Sequence, residues 1–174
     1  MRVPSRLLSL TLVLTLGGCG YALLGRGTVV DPDIKVVGVP TFRDRTGRPG
    51  LDQQITDLVI EELLKRGRFQ VVNQAAGADA VVDGEITGYQ ARPVGFSGAE
   101  ETTEASRYAV VLTANVTYAK VGVREPIWQN PAFRANDEWD VGSPEAFFDR
   151  EEQAVERLAK EFARSLVAAM MEAF

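Results

Sequence analysis

The sequence predicts an α+β domain: a two-layer sandwich with two helices packed on one face of a roughly four-stranded mixed sheet, in the order β-α-β-β-β-α. Three patterns carry this. From Tyr108 to Tyr118, apolar residues fall at every second position (Tyr108, Val110, Leu112, Ala114, Val116), the period of a strand with one buried face. Two other stretches, at 51–67 and toward the C-terminus, repeat apolar residues every three to four positions, as amphipathic helices do. Between the apolar positions of the strand stand Thr113, Asn115 and Thr117, so one side of the sheet is left polar.

Taken in order, the chain opens on Arg2 and Arg6, an apolar run at 7–16, and then Gly17-Gly18-Cys19. Positive charge, a short greasy core and small residues make an export signal. The core is too short to span a bilayer, which takes about 20 apolar residues in a helix. The small-small-Cys ending resembles a bacterial lipobox, which assigns residues 1–18 to a signal peptide and Cys19 to lipid attachment. Membrane association then comes from acyl chains at the first mature residue. Residues 19–33, with three glycines and a proline, read as the lipidated N-terminus and tether. Residues 34–174 are one domain.

Within it, 34–42 is β-branched and apolar and reads as a strand. Arg43 to Gly50 is a polar turn rich in breakers. The helix that follows places Ile55, Leu58, Val59 and Leu63 on one face, Asp52 and Asp57 toward its start, and Lys65 and Arg66 at its end, as the helix dipole favours. Gly67 stops it. Phe69 to Val72 is a short strand or an extended link. Ala80, Val82 and Ile86 alternate along a strand reaching Tyr89. Arg92 to Ala105, with Pro93, Gly95, Gly98 and three glutamates, reads as an exposed hairpin loop. Trp128 to Val141 puts Phe133, Trp139 and Val141 on one side and Arg134, Asn136, Glu138 and Asp140 on the other. Ser143-Pro144 is an N-cap with proline at the first helical position. The last helix carries Val155, Leu158, Ala159, Phe162, Leu166 and Met170 on one stripe, with Glu156/Lys160 and Arg157/Glu161 as outer i, i+4 pairs.

Composition removes several functions. There is no histidine in the 174 residues and one cysteine, so an acylated Cys19 leaves no thiol and no imidazole for nucleophilic, acid–base or metal chemistry. The mature chain has 17 basic and 24 acidic residues, a poor match to nucleic acid, whose phosphates reward clustered cations. The adjacent acids Glu61-Glu62, Glu100-Glu101 and Glu151-Glu152 read as solvated charge, since neighbours on a helix do not share a face. The basic residues are lopsided, 15 Arg to 4 Lys, and arginine forks match phosphate and carboxylate. Arg43, Arg45 and Arg48 crowd one loop, which reads as an anion site or, more simply, as a soluble turn.

In order along the chain, Cys19-Gly20-Tyr21-Ala22-Leu23, Val37-Gly38-Val39-Pro40-Thr41-Phe42, Arg43-Asp44-Arg45-Thr46, Pro49 to Thr56, Ala78 to Ile86 and Arg107-Tyr108-Ala109-Val110 resemble the LPS-assembly lipoprotein family LptE. The resemblance covers nearly the whole mature chain. It implies a non-enzymatic lipoprotein of the outer membrane, on its periplasmic side, seated inside the β-barrel LptD. Such a protein helps the barrel assemble and binds lipopolysaccharide for delivery to the outer leaflet. No cofactor or metal is implied. Gly20 after the cysteine lacks the aspartate that retains lipoproteins at the inner membrane. The resemblance points to Arg92 and Arg134 for lipopolysaccharide. The polar strand positions Thr113, Asn115 and Thr117, with Asn136 and Arg134, are the expected contact with the barrel, whose lumen is polar. The competing expectation is a lipoprotein module of another envelope machine, a peptidoglycan synthase activator or a curli-type secretion component, which shares a similar strand–helix opening.

Overall fold

The computed structural model describes residues 31, 33–98, 104–141 and 147–172. The signal peptide, Cys19, most of the tether, Glu100-Glu101 and the Ser143-Pro144 cap lie outside them.

The strand expected at 34–42 is two short ones, β1 (Val36–Gly38) and β2 (Arg43–Asp44). The chain interrupts pairing around Pro40, which has no N–H to give a ladder. Phe42 turns into the core at 2 % exposure. Its N–H donates to Thr56 Oγ1 at 2.9 Å, and that hydroxyl donates in turn to Asp52 O at 2.6 Å, which satisfies a buried threonine. Helix α1 (Leu51–Lys65) begins after Gly50, held at φ 78°, with Asp52 in its first turn and Lys65 in its last. It buries Leu51, Ile55, Val59 and Leu63, while Leu58 is half-buried beside them. The extended segment after it is a true strand, β3 (Gln70–Val72), parallel to β1.

Strands β4 (Ala80–Ser97), β5 (Glu104–Lys120) and β6 (Trp128–Asp140) form a long antiparallel meander. The loop expected at 92–105 is therefore mostly strand, paired from Arg92↔Ala109 out to Ser97↔Glu104. Pro93 is tolerated because β1 and β2 lie end to end along β4 only as far as Ile86, beyond which β4 is an edge. The sheet order is β3-β1-β4-β5-β6, with β2 on β4, so the sheet is mixed and has six strands rather than about four. The extra strands are the split of 34–42 and the link that paired.

Helix α2 (Phe147–Glu172) and α1 pack together on one face of this sheet. Val155, Leu158, Ala159, Phe162, Leu166 and Met170 are all buried, and Phe162 meets Phe133 of β6 edge to face at 5.4 Å. Arg157 does not pair with Glu161; it reaches across to Asp137 at 2.8 Å and ties the helix to β6. Glu156 and Lys160 do pair, at 2.6 Å.

Candidate functional site

Both helices cover one face of the sheet, so the other is bare. On β5 its residues are Arg107, Val111, Thr113, Asn115 and Thr117, alternating with buried Val110, Leu112, Ala114, Val116 and Tyr118. On β6 they are Arg134, Asn136, Glu138 and Asp140, which lie on the open side as the alternation predicts.

Strand β4 behaves differently. Up to Ile86 its even-numbered residues point to the core. A β-bulge then inserts Thr87, so that Ile86 faces Ala114 and Gly88 already faces Thr113. One surplus residue exchanges the two faces of everything beyond it. Tyr89 thus moves to the helix side, opposite Leu112, and Arg92, which shares parity with Ile86, comes out on the open face opposite Ala109.

The register lays the open face out in rows. Gly88, Thr113 and Arg134 stand side by side across three strands, and Gln90, Val111 and Asn136 form the next row. Between them lies a hollow of about 260 Å³ lined by Gly88, Gln90, Arg92, Val111, Thr113 and Arg134. The structure therefore brings Arg92, Arg134 and Thr113 into one site. Asn136, Asn115 and Thr117 share the face without lining the hollow: Asn115 stands opposite Glu85, and Thr117 between Asp83 and Gln129. Sequence patterning missed Gly88 and Gln90. The one available signal was a glycine inside a strand, which often marks a bulge or a close approach.

The electrostatics divide the face. Toward β2, Arg43 pairs with Asp83 at 2.8 Å and Arg45 with Glu85 at 2.6 Å. Arg48 leaves the face altogether: its guanidinium lies 4.6 Å from the centre of the Tyr89 ring and donates to Glu151 at 3.0 Å. All three arginines of that loop are matched by carboxylates of the chain, so the loop is not an anion site. Glu151 also accepts from the Tyr89 hydroxyl at 2.8 Å, and its side chain is 15 % exposed, so it is a structural clasp and not solvated charge. Burial, and then the hydrogen bond to Glu151, raise the Tyr89 phenol above its ordinary pKa. At the hollow the situation reverses. Arg92 and Arg134 have no ion pair or hydrogen bond among the described residues. Two guanidiniums with every donor free border a polar depression, an arrangement that takes an anion.

Catalysis finds little here. No group of three His, Cys, Asp or Glu residues placed to hold a metal occurs among the described residues, and no described helix is long and apolar enough to cross a membrane.

The fold recurs in solved bacterial proteins. Protein CT253 of Chlamydia trachomatis is 11% identical, with a TM-score of 0.58 over 80% of this chain and 97% of its own. Lipoprotein B of Nitrosomonas europaea is 14% identical, at 0.53 over 76% and 79%. The rare lipoprotein B of Shewanella oneidensis is 12% identical, at 0.50 over 78% and 94%. No curated protein matches in sequence. The family model for lipopolysaccharide assembly, LptE, matches residues 34–170, nearly the whole predicted domain. The chain therefore belongs to the LptE family of non-enzymatic, outer-membrane-associated lipoproteins of lipopolysaccharide assembly.

Proposed function

We propose that this lipoprotein, anchored by acyl chains on Cys19 at the periplasmic side of the outer membrane, seats inside the LptD barrel, assists its assembly and binds lipopolysaccharide. The observation that carries the binding role is the pair of partnerless arginines, Arg92 and Arg134, on one uncovered polar face. Lipopolysaccharide presents phosphates, which guanidinium forks take bidentately, and charge-assisted bonds are the stronger kind. The rest of that face, with Thr113, Asn115, Thr117 and Asn136, supplies the hydrophilic exterior that a plug needs against a polar lumen wall.

The test replaces Arg92 and Arg134 together by alanine and measures lipopolysaccharide binding. Each lost charge-assisted bond is worth about 1.5–3 kcal/mol, so affinity falls on the order of 10–100-fold or more. The melting temperature stays put, because neither side chain holds an ion pair or hydrogen bond to another described residue. Undiminished binding refutes the assignment. The barrel contact is tested separately: arginine or glutamate at Thr113, Asn115 and Thr117 blocks co-purification with the barrel from detergent-solubilised envelopes while the isolated domain stays folded. Normal co-purification places the contact elsewhere, and capture of a peptidoglycan synthase or a secretion ring in place of a barrel supports the competing module. Mass spectrometry of the mature N-terminus checks the acylation of Cys19.

A further inference from the structure

Four described glycines lack a positive φ, and the chain itself accounts for three of them. A Cβ on Gly84 would sit 2.3 Å from the Phe42 ring, one on Gly38 would sit 2.4 Å from the Gln74 carbonyl oxygen, and one on Gly95 would sit 2.9 Å from Arg107 Cβ. Gly88 is different. Its backbone is in the region open to any residue, and its Cβ would meet only Thr113 Cβ, at an ordinary 3.8 Å. Nothing in the fold asks for glycine there, and glycine weakens a strand by its entropy and its missing side chain. Yet Gly88 is the position that the Thr87 bulge turns outward, into the floor of the hollow, beside Thr113 and two strands from Arg134.

We propose that Gly88 is a specificity-determining residue of the lipopolysaccharide site. Its bare backbone leaves the floor open so that a phosphorylated sugar lies flat on the sheet, with Arg92 and Arg134 reaching its anionic groups. This rests on the reading of those two arginines as the anion site. It assigns the hollow to the headgroup and not to the acyl chains, because Gln90, Thr113 and the two guanidiniums make the lining polar. A side chain at position 88 fills that space from below without disturbing the strand.

The experiment uses the mature lipoprotein in detergent, with two probes: lipopolysaccharide and its fully deacylated, still phosphorylated glycan. Gly88→Leu is expected to lose tenfold or more in affinity for both probes, and Gly88→Ala a few-fold, while both melt no lower than the parent. Gly88→Leu binding both probes within twofold of the parent overturns the proposal, provided Arg92→Ala/Arg134→Ala loses binding. If that double variant binds normally, the underlying reading has failed instead. A deacylated glycan that does not bind the parent, or binds Gly88→Leu unchanged, overturns the headgroup assignment. If Gly88→Leu melts lower, Gly88→Ala decides: a few-fold loss supports the proposal, and binding equal to the parent overturns it.

Discussion

Replacing Gly84 by alanine tests the packing that holds the sheet to the segment before α1. The added Cβ would stand 2.3, 2.4 and 2.5 Å from Cε2, Cδ2 and Cζ of Phe42, where a comfortable contact is at least an ångström longer. The ring cannot swing clear. Phe42 is 2 % exposed, and its backbone is pinned by the bond from its N–H to Thr56 Oγ1. Overpacking of this kind costs about 1–3 kcal/mol. Against it stands the smaller entropy of an unfolded alanine, worth about 0.4–1 kcal/mol. The net loss is about 1–2 kcal/mol, which in a domain near 140 residues lowers the melting temperature by roughly 3–8 °C. Urea unfolding followed by tryptophan fluorescence measures it, since Trp139 is buried and Trp128 partly so. The decisive variant is the double one. If the clash is the cause, Phe42→Leu removes the offending ring atoms and recovers most of the loss, giving a coupling of about 1 kcal/mol or more. Additivity within about 0.5 kcal/mol refutes the clash.

Two pH predictions follow from buried or bonded groups. Burial, with a smaller push from negative Asp31, raises the Tyr118 phenol to about 12, and Tyr89 is raised as well. A raised folded-state pKa means full stability below pH 10 and loss as pH climbs toward the folded values. For Tyr118 this comes to about 2–3 kcal/mol between pH 10 and 12. Tyr118→Phe flattens the curve, and a parent protein equally stable at pH 9 and 11.5 contradicts the shift. At the acid end, the N–H groups of Val36 and Lys35 donate to Asp79 at 2.8 and 2.9 Å and hold its pKa below the ordinary carboxylate value. The sign is opposite: its contribution is present above pH 4 and fades as pH drops through the lowered folded value. Asp79→Ala, which also frees the start of β1, shows a shallower acid slope than the parent between pH 5 and 2, and identical slopes reject the assignment.

The helices and the β5 alternation were legible because each is a local period: the same 3.6 or 2.0 repeat that places Phe162 or Leu112 in the sequence buries it in the fold. What failed was non-local. Arg92 to Ala105 reads as a loop because it holds Pro93, Gly95 and Gly98, and only the absence of a neighbour beyond Ile86 lets β4 carry a proline inside its ladder. Glu151 looks like surface charge until Arg48 and Tyr89, 103 and 62 residues away, converge on it. The site was half legible. Arg134 falls on the polar side by simple alternation. Arg92 came from the family resemblance alone, since its alternation with Ile86 points the wrong way.

The sidedness of this arm hangs on chain length as much as on chemistry. Without the surplus Thr87, the phenol of Tyr89 would swing to water and the cation of Arg92 would be driven beneath the helices, with no other letter of the sequence altered. A single-codon insertion or deletion between Ala80 and Gly88 therefore rewrites the ligand-facing surface more thoroughly than any one replacement there. Among relatives of this fold, lining up letters along this strand matters less than counting them.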